Sequence, residues 1–327
     1  MKCNDSIDVS LIIPVFNAEK NLPSLINSIL SEKRVNFEII VVDDGSTDNT
    51  NTLLKNITDE RVILVEQPNS GVYAARNLAL SMHRGRWVMF IDADDSVSKD
   101  FIYNRFSLAE QGNFDVVIFN GHRIGSDKKS APRPVHHKQT YNKLLTGHEW
   151  IDICVKNKEW PHYLWLQIIK SEYIRKNKLC FQPGYSHKDI VWTVDLALKN
   201  GSFYISSHYD YTYIINTTSI TQRKDYFDKR ARSYIEVISY LIRCAHEQNN
   251  KSLKARLLCH ALVETRHFLG LLRKKVINKH EIRLEFNENI DLANLFRGIR
   301  NMSDIFFFVK LIVKTKRRIS QSYDVRR

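Results

Sequence analysis

The stretch Trp87-Val88-Met89-Phe90-Ile91-Asp92-Ala93-Asp94-Asp95 carries an unbroken apolar run into three carboxylates. Runs of this kind, without alternation, are strands buried on both faces of a parallel sheet, and open α/β sheets bind ligands beyond the carboxyl ends of their strands. Three like charges crowded at such an end repel one another unless a cation neutralises them. Clustered oxygen ligands suit a hard divalent ion, Mg²⁺ or Mn²⁺, bridging to phosphates. The same residues also fit an acidic turn that ends the strand and caps the next helix through Asp95 or Ser96.

Upstream of this strand the pattern repeats. Val9 to Phe16 reads as a first buried strand, closed by Pro14 and Asn17, and Leu22, Leu25, Ile26, Ile29 and Leu30 follow at helical spacing. Phe37 to Val42 is a second strand ending in Asp43-Asp44-Gly45-Ser46-Thr47-Asp48. Leu53, Leu54 and Ile57 mark a helix and Val62 to Val65 a third strand. The loop Gln67-Pro68-Asn69-Ser70-Gly71 leads into a short helix bearing Ala74, Ala75, Arg76, Asn77 and Leu78. Strand and helix thus alternate as in right-handed βαβ units of a parallel sheet. The loops after the second, third and fourth strands land on one sheet edge, so Asp43, Asp44, Arg76, Asp92, Asp94 and Asp95 share one cleft.

Downstream, Asp115 to Asn120 reads as a further strand. Gly125 to Tyr141 is basic, turn-rich and without periodicity, and reads as a mobile surface loop with His136 and His137 solvated. Mixed structure returns over residues 148 to 200, where Trp165 lies on an apolar segment. There the turn Phe181-Gln182-Pro183-Gly184-Tyr185-Ser186-His187-Lys188-Asp189 precedes an apolar-rich segment that Asp189 is placed to cap. From about Asp228 the chain is helical, and Leu253, Leu257, Leu258, Ala261, Leu262, Thr265, Phe268, Leu269 and Leu272 form a core stripe. Ile305 to Val313, followed by Lys314, Lys316, Arg317 and Arg318, is too short to span a bilayer. It reads either as a helix lying in an anionic membrane surface or as a tail helix docked on its domain.

The 327 residues have room for one large domain or two smaller ones. No secretory signal is visible, and five scattered cysteines without a C-x-x-C pair suggest a reducing cytoplasm with no disulfide frame and no zinc site. The net charge of +13 is uneven: residues 1 to 120 carry 11 Lys and Arg against 17 Asp and Glu, a net of −6, leaving +19 for the remainder. The basic part faces something anionic, be it membrane, nucleic acid or a phosphorylated substrate.

Taken together, Ser10 to Asn17, Val41 to Asp48, Asn69-Ser70-Gly71 with Ala75-Arg76-Asn77, and Phe90 to Asp95 resemble the family 2 glycosyltransferases. The resemblance covers residues 8 to 105 closely, and Trp165 to Trp192 more loosely. In that second stretch the acidic pair common in the family reads Lys188-Asp189. It implies an α/β fold of glycosyltransferase type A, a Rossmann-like mostly parallel sheet with helices on both faces, followed by a C-terminal helical region. The catalytic domain would span 1–222, with a nucleotide-sugar half over 8–120 and an acceptor half over 121–222. A basic helical region over 223–327 would end in a membrane-surface tail over 305–327. The implied enzyme is cytoplasmic, peripheral on the inner face of the membrane, and inverting. It would move a hexose from a UDP-sugar to a glycan or lipid-linked glycan acceptor with Mn²⁺ or Mg²⁺. By resemblance Asp44 holds the uracil, Asp94 with Asp92 holds the metal, and Asp189 deprotonates the acceptor. Pro14, Phe16, Asn17, Asp43, Gly71, Arg76 and Ala93 complete the nucleotide-sugar pocket. The resemblance also extends to β-glucosyl- or β-galactosyltransferases of lipopolysaccharide outer core or similar surface glycans.

Two other readings compete. Asp92-Ala93-Asp94-Asp95-Ser96 mimics the Asp-x-Asp-x-Ser of haloacid-dehalogenase-type phosphatases, with Asp92 as nucleophile. The positive charge alone would allow a nucleic-acid-binding protein, but aromatic interleaving and helix-turn-helix organisation are both missing from the sequence, so no nucleic acid is expected as partner.

Overall fold

The computed structural model describes residues 6–125, 131–214 and 225–316. The chain divides into two compact units, Met1–Ser219 and Ile220–Arg327. The expected boundary at 222/223 and the cationic end with Arg317 and Arg318 lie outside the described residues.

The first unit opens as β1 (Val9–Val15), α1 (Leu22–Leu30), β2 (Phe37–Asp43), α2 (Thr50–Lys55), β3 (Val62–Glu66), α3 (Val72–Met82) and β4 (Trp87–Phe90). It continues through β5 (Ser96–Val97), α4 (Phe101–Gly112), β6 (Val116–Ile124), β7 (Arg133–Pro134), β8 (Lys143–Thr146) and α5 (Gly147–Asn157). It closes with β9 (Gln167–Lys170), α6 (Ser171–Lys176), α7 (Lys188–Leu198) and β10 (Ser202–Ile214). The strands form one sheet in the order β3-β2-β1-β4-β9-β6-β10-β5, with β7 beside β6 and β8 beside β10. Pairing is parallel from β3 through β2 and β1 to β4. It turns antiparallel where β9 inserts between β4 and β6, while β6 and β10 again run parallel. Every residue of β2 and β4 is buried, which is why β4 reads as a continuous apolar run and β2 as one broken only by Glu38 and the terminal Asp43.

Residues 131–141 differ from the solvated loop that composition suggests. Asn120 at the core end of β6 donates Nδ2 to the His136 carbonyl at 2.8 Å and accepts the His136 amide at Oδ1. This reciprocal pair buries His136, whose imidazole is pushed down to about 4, chiefly by burial, while His137 stays exposed.

The second unit is helical: α8 (Tyr226–His246), α9 (Lys251–Lys274), α10 (Lys279–Asn289), α11 (Leu292–Arg297) and α12 (Met302–Thr315). The stripe from Leu253 to Leu272 on α9 is buried throughout, as its 3.6-residue period requires. One stripe of α12, Phe307 and Leu311, packs inward, and Arg266 of α9 holds Asp304 at 2.6 Å and lies over Phe307. The opposite stripe, Ile305, Phe306, Val309 and Val313, is exposed, Phe306 to 71%. The helix is therefore docked and still presents an apolar face. Among the described residues no helix is long and apolar enough to cross a membrane.

Candidate active site

The order β3-β2-β1-β4 places the carboxyl ends of β1, β2 and β4 side by side at the point where the strand order reverses, the usual ligand crevice of an open α/β sheet. Register sets the depth: Val15 pairs with Asp43, and Ile12 with Phe90. The loops beyond are laced together. Asn17, with φ +53°, donates its amide to Ser46 Oγ and accepts the Thr47 amide at Oδ1, 2.8 Å away. Phe16 leaves its ring exposed at this rim, and Pro14 on β1 and Ala93 after β4 are half-buried.

Asp44 is buried and serves as an anchor. Its Oδ1 accepts from Gln67 Nε2 and the Ser70 amide, both at 2.7 Å, and its Oδ2 accepts from the Gly71 amide at 2.9 Å. These bonds hold the turn in which Gly71 takes φ +91°, a conformation that favours glycine although a side chain there would meet nothing within 4 Å. Asp43 turns instead to its own loop, accepting from the Ser46 amide and from Asn51 Nδ2.

Gly71 directly precedes α3, and one face of that helix builds the centre of the site. Tyr73, Arg76 and Asn77 stand at i, i+3 and i+4 and reach the first residues of α7 and the turn ahead of it. Tyr73 Oη accepts the Lys188 amide, and Asn77 exchanges two hydrogen bonds with the Phe181 backbone at 2.8 and 2.9 Å. Buried Arg76 donates Nη2 to Asp92 Oδ1 at 2.9 Å and Nη1 to Asp189 Oδ1 at 3.2 Å. One guanidinium thus joins carboxylates 97 positions apart in sequence. Asp189 is the second residue of α7 and does not cap it; His187 precedes the helix in a left-handed conformation, φ +61°. Burial raises the Asp189 carboxyl to about 6; the Arg76 charge opposes the shift and the Asp92 charge adds to it.

The acidic end of β4 is likewise tied across the sheet. Tyr211 Oη accepts the Asp92 amide and donates to Asp95 Oδ2 at 2.9 Å, while the Ile214 amide donates to Asp95 Oδ1. Asp95 is therefore buried against β10 and caps no helix; α4 begins only at Phe101, after Asp100. Burial, then the charges of Asp92 and Asp94, push the Asp95 carboxyl up to about 9. Among the described residues no three His, Cys, Asp or Glu side chains converge as metal ligands. A divalent ion held by one or two carboxylates, with phosphate and water completing its shell, needs no such cage. Asp94 is exposed, Asp92 is half-buried with one oxygen on Arg76, and the negative potential felt by Asp95 is what a cation relieves. The donor set fits such an ion.

Sequence reading names Arg76 and Asp189 but misses what connects them. Tyr73 and the pairing of Asn77 with Phe181 carry the signal of i, i+3, i+4 spacing on a helix with little apolar stripe. Tyr211 carries none, because its partners lie 119 and 116 positions away.

A family model described as Glycosyl transferase family 2 matches residues 10–164. Over 319 residues the chain is 26% identical to YibD of Escherichia coli K12, named an uncharacterized glycosyltransferase, covering 95% of this chain and 85% of the relative. Over 185 residues it is 30% identical to the E. coli UDP-Glc:alpha-D-GlcNAc-diphosphoundecaprenol beta-1,3-glucosyltransferase WfgD, covering 52% of this chain and 73% of the relative. Among solved structures, S. aureus TarS 1-349 in complex with UDP-GlcNAc has a similar fold, with a TM-score of 0.70 at 17% identity over 94% of this chain and 89% of that one.

Proposed function

The chain belongs to glycosyltransferase family 2, and we propose that it is an inverting enzyme that moves a hexose from a UDP-sugar to a hydroxyl of a glycan or lipid-linked glycan. Family membership sets aside the phosphatase reading of Asp92: three βα units precede it, and its carboxylate is turned to Arg76. The observation that carries the proposal is the Arg76 bridge, which brings the Asp92 end of the acidic motif and Asp189 to the two sides of one guanidinium.

In this reading residues 8–120 handle the nucleotide sugar and residues 121–222 the acceptor. Asp44, with Phe16 at the rim, faces the uracil; Oδ2 has a lone pair left for a ring N–H beside the Gly71 amide. Asp94 and Asp92 would hold Mn²⁺ or Mg²⁺. Such an ion acts as a Lewis acid on the departing diphosphate. Asp189 takes the acceptor proton: its Oδ1 is fixed by Arg76, and its Oδ2 accepts no hydrogen bond from the described residues. Attack from the face opposite the leaving group inverts the anomeric carbon, so an α-linked donor gives a β-linked product. The name of WfgD, a β-1,3-glucosyltransferase acting on a diphosphoundecaprenol-linked sugar, supports a β-glucosyl- or β-galactosyltransferase of lipopolysaccharide outer core or a similar surface glycan. The exposed face of α12, flanked by Lys310, Lys314 and Lys316, supports peripheral association with an anionic membrane on its cytoplasmic side.

The test is UDP release from UDP-glucose, UDP-galactose and UDP-GlcNAc with and without Mn²⁺. Release from at least one, dependent on the ion, is expected; none from any of the three would sink the UDP-sugar reading. Asp94→Asn should abolish the Mn²⁺ dependence of UDP binding and lower transfer by about 10²-fold or more, as loss of charge stabilisation at a leaving group does. Full activity in that variant would refute the metal role. Because a base must be deprotonated to act, kcat/KM should rise with pH through about 6, the value to which burial raises Asp189, and level off above. A flat profile from about pH 5 to 8 would assign the proton transfer elsewhere.

A further inference from the structure

Tyr211 does more than bridge Asp92 and Asp95. Its ring stacks on Trp165 at 4.3 Å and 8°, and Trp165 stacks in turn on Tyr163 at 5.1 Å and 25°. Tyr213, two residues along β10 from Tyr211, stacks on Trp165 at 6.1 Å and 18°. Trp165 and Tyr211 are buried, whereas Tyr163 and Tyr213 are half-buried. The stack therefore starts at the acidic strand end and runs outward to half-buried Tyr163, on which His162 also stacks at 4.6 Å and 28°. Register places Arg123 of β6 opposite Tyr213, with its guanidinium 5.7 Å from that ring and Nη2 donating to Tyr163 Oη at 3.1 Å. Arg123 is exposed, and among the described residues no carboxylate pairs with it.

The base of this stack is rigid. Fully buried Arg105 donates Nη1 to the Trp165 carbonyl at 2.6 Å and grips Asp210 of β10 with Nε and Nη2 at 2.9 and 2.6 Å. β5, the continuation of the acidic motif, pairs with β10 at Val97 and Tyr211. The stack thus begins one strand spacing, about 4.8 Å, from that continuation.

We infer that Tyr163, Tyr213 and Arg123 form the acceptor subsite, and that it takes a sugar unit bearing an anionic oxygen group, a phosphate or a carboxylate. The inference rests on the transferase reading and adds the chemical class of acceptor. A pyranose offers an apolar C–H face that packs on aromatic rings, and a guanidinium fork matches carboxylate and phosphate alike. Held by a tyrosine hydroxyl and a ring face, Arg123 loses less freedom on binding than an unheld surface arginine does.

The test is ligand-observed NMR titration of the full chain with glucose, glucose 6-phosphate and glucuronate, repeated on Arg123→Gln. Because the cation is exposed, the expected preference for the anionic sugars over glucose is about fivefold, lost in the variant. Preference for only one of the two anions supports the subsite and identifies the group it reads. Equal affinity for glucose and both anions, or a preference that survives Arg123→Gln, overturns it. UDP is titrated in parallel on the wild type. Failure of UDP to bind counts against the transferase reading, whereas loss of anion preference alone counts against this subsite.

Discussion

Asp189→Asn is expected to lower kcat by about 10²- to 10⁴-fold while leaving the affinity for UDP nearly unchanged. Asparagine keeps the side-chain oxygen that Arg76 Nη1 reaches at 3.2 Å, so the turn clamped by Tyr73 and Asn77 has no reason to move. What it loses is the basic oxygen that accepts the proton. Steady-state transfer at saturating donor, with UDP titrated separately, distinguishes the two effects. A kcat within about threefold of wild type would mean that another group is the base, since a general base contributes far more than that. Loss of UDP binding together with kcat would instead mean that Asp189 acts by holding Arg76.

Arg105→Met should give the largest loss of stability. Arg105 is 0% exposed and Asp210 is 7% exposed, and the two meet through two charge-assisted bonds. The same guanidinium lies over Phe101 and Phe119 at 4.2 and 4.5 Å. Methionine fills much of the volume but leaves Asp210 charged and buried without its partner and the Trp165 carbonyl without its donor. Breaking a buried pair from one side costs about 3–5 kcal/mol, or about 6–20 °C in Tm for a unit of this size. Thermal melts followed by tryptophan fluorescence check this. A loss under about 1 kcal/mol would show that water or a neighbour compensates Asp210.

The first sheet half was legible because parallel strands are buried on both faces. Val9 to Val15, Phe37 to Asp43 and Trp87 to Phe90 read as largely apolar runs, broken only at Ser10, Glu38 and the terminal Asp43, and the turn residues that follow them are also site residues. The helix stripe on α9 was legible for the same reason of period. Beyond β4, the antiparallel insertion of β9 and the parallel pairing of β10 with β6 leave no local mark, since strand partners are set by tertiary packing. Burial of His136 has no mark in the sequence, because a polar, turn-rich segment gives no sign that Asn120 will satisfy its backbone. The capping readings of Asp95 and Asp189 failed because aspartate in a turn looks alike whether its carboxylate meets a helix amide, a tyrosine or an arginine.

On the proposed function, the carboxylates at the end of β4 bind a nucleoside diphosphate through a divalent ion. Calorimetric titration of UDP with and without Mn²⁺ tests it most directly. Binding at least about tenfold tighter with Mn²⁺ is expected, a difference of about 1.4 kcal/mol. Equal binding with and without the ion, or none in either, would contradict it.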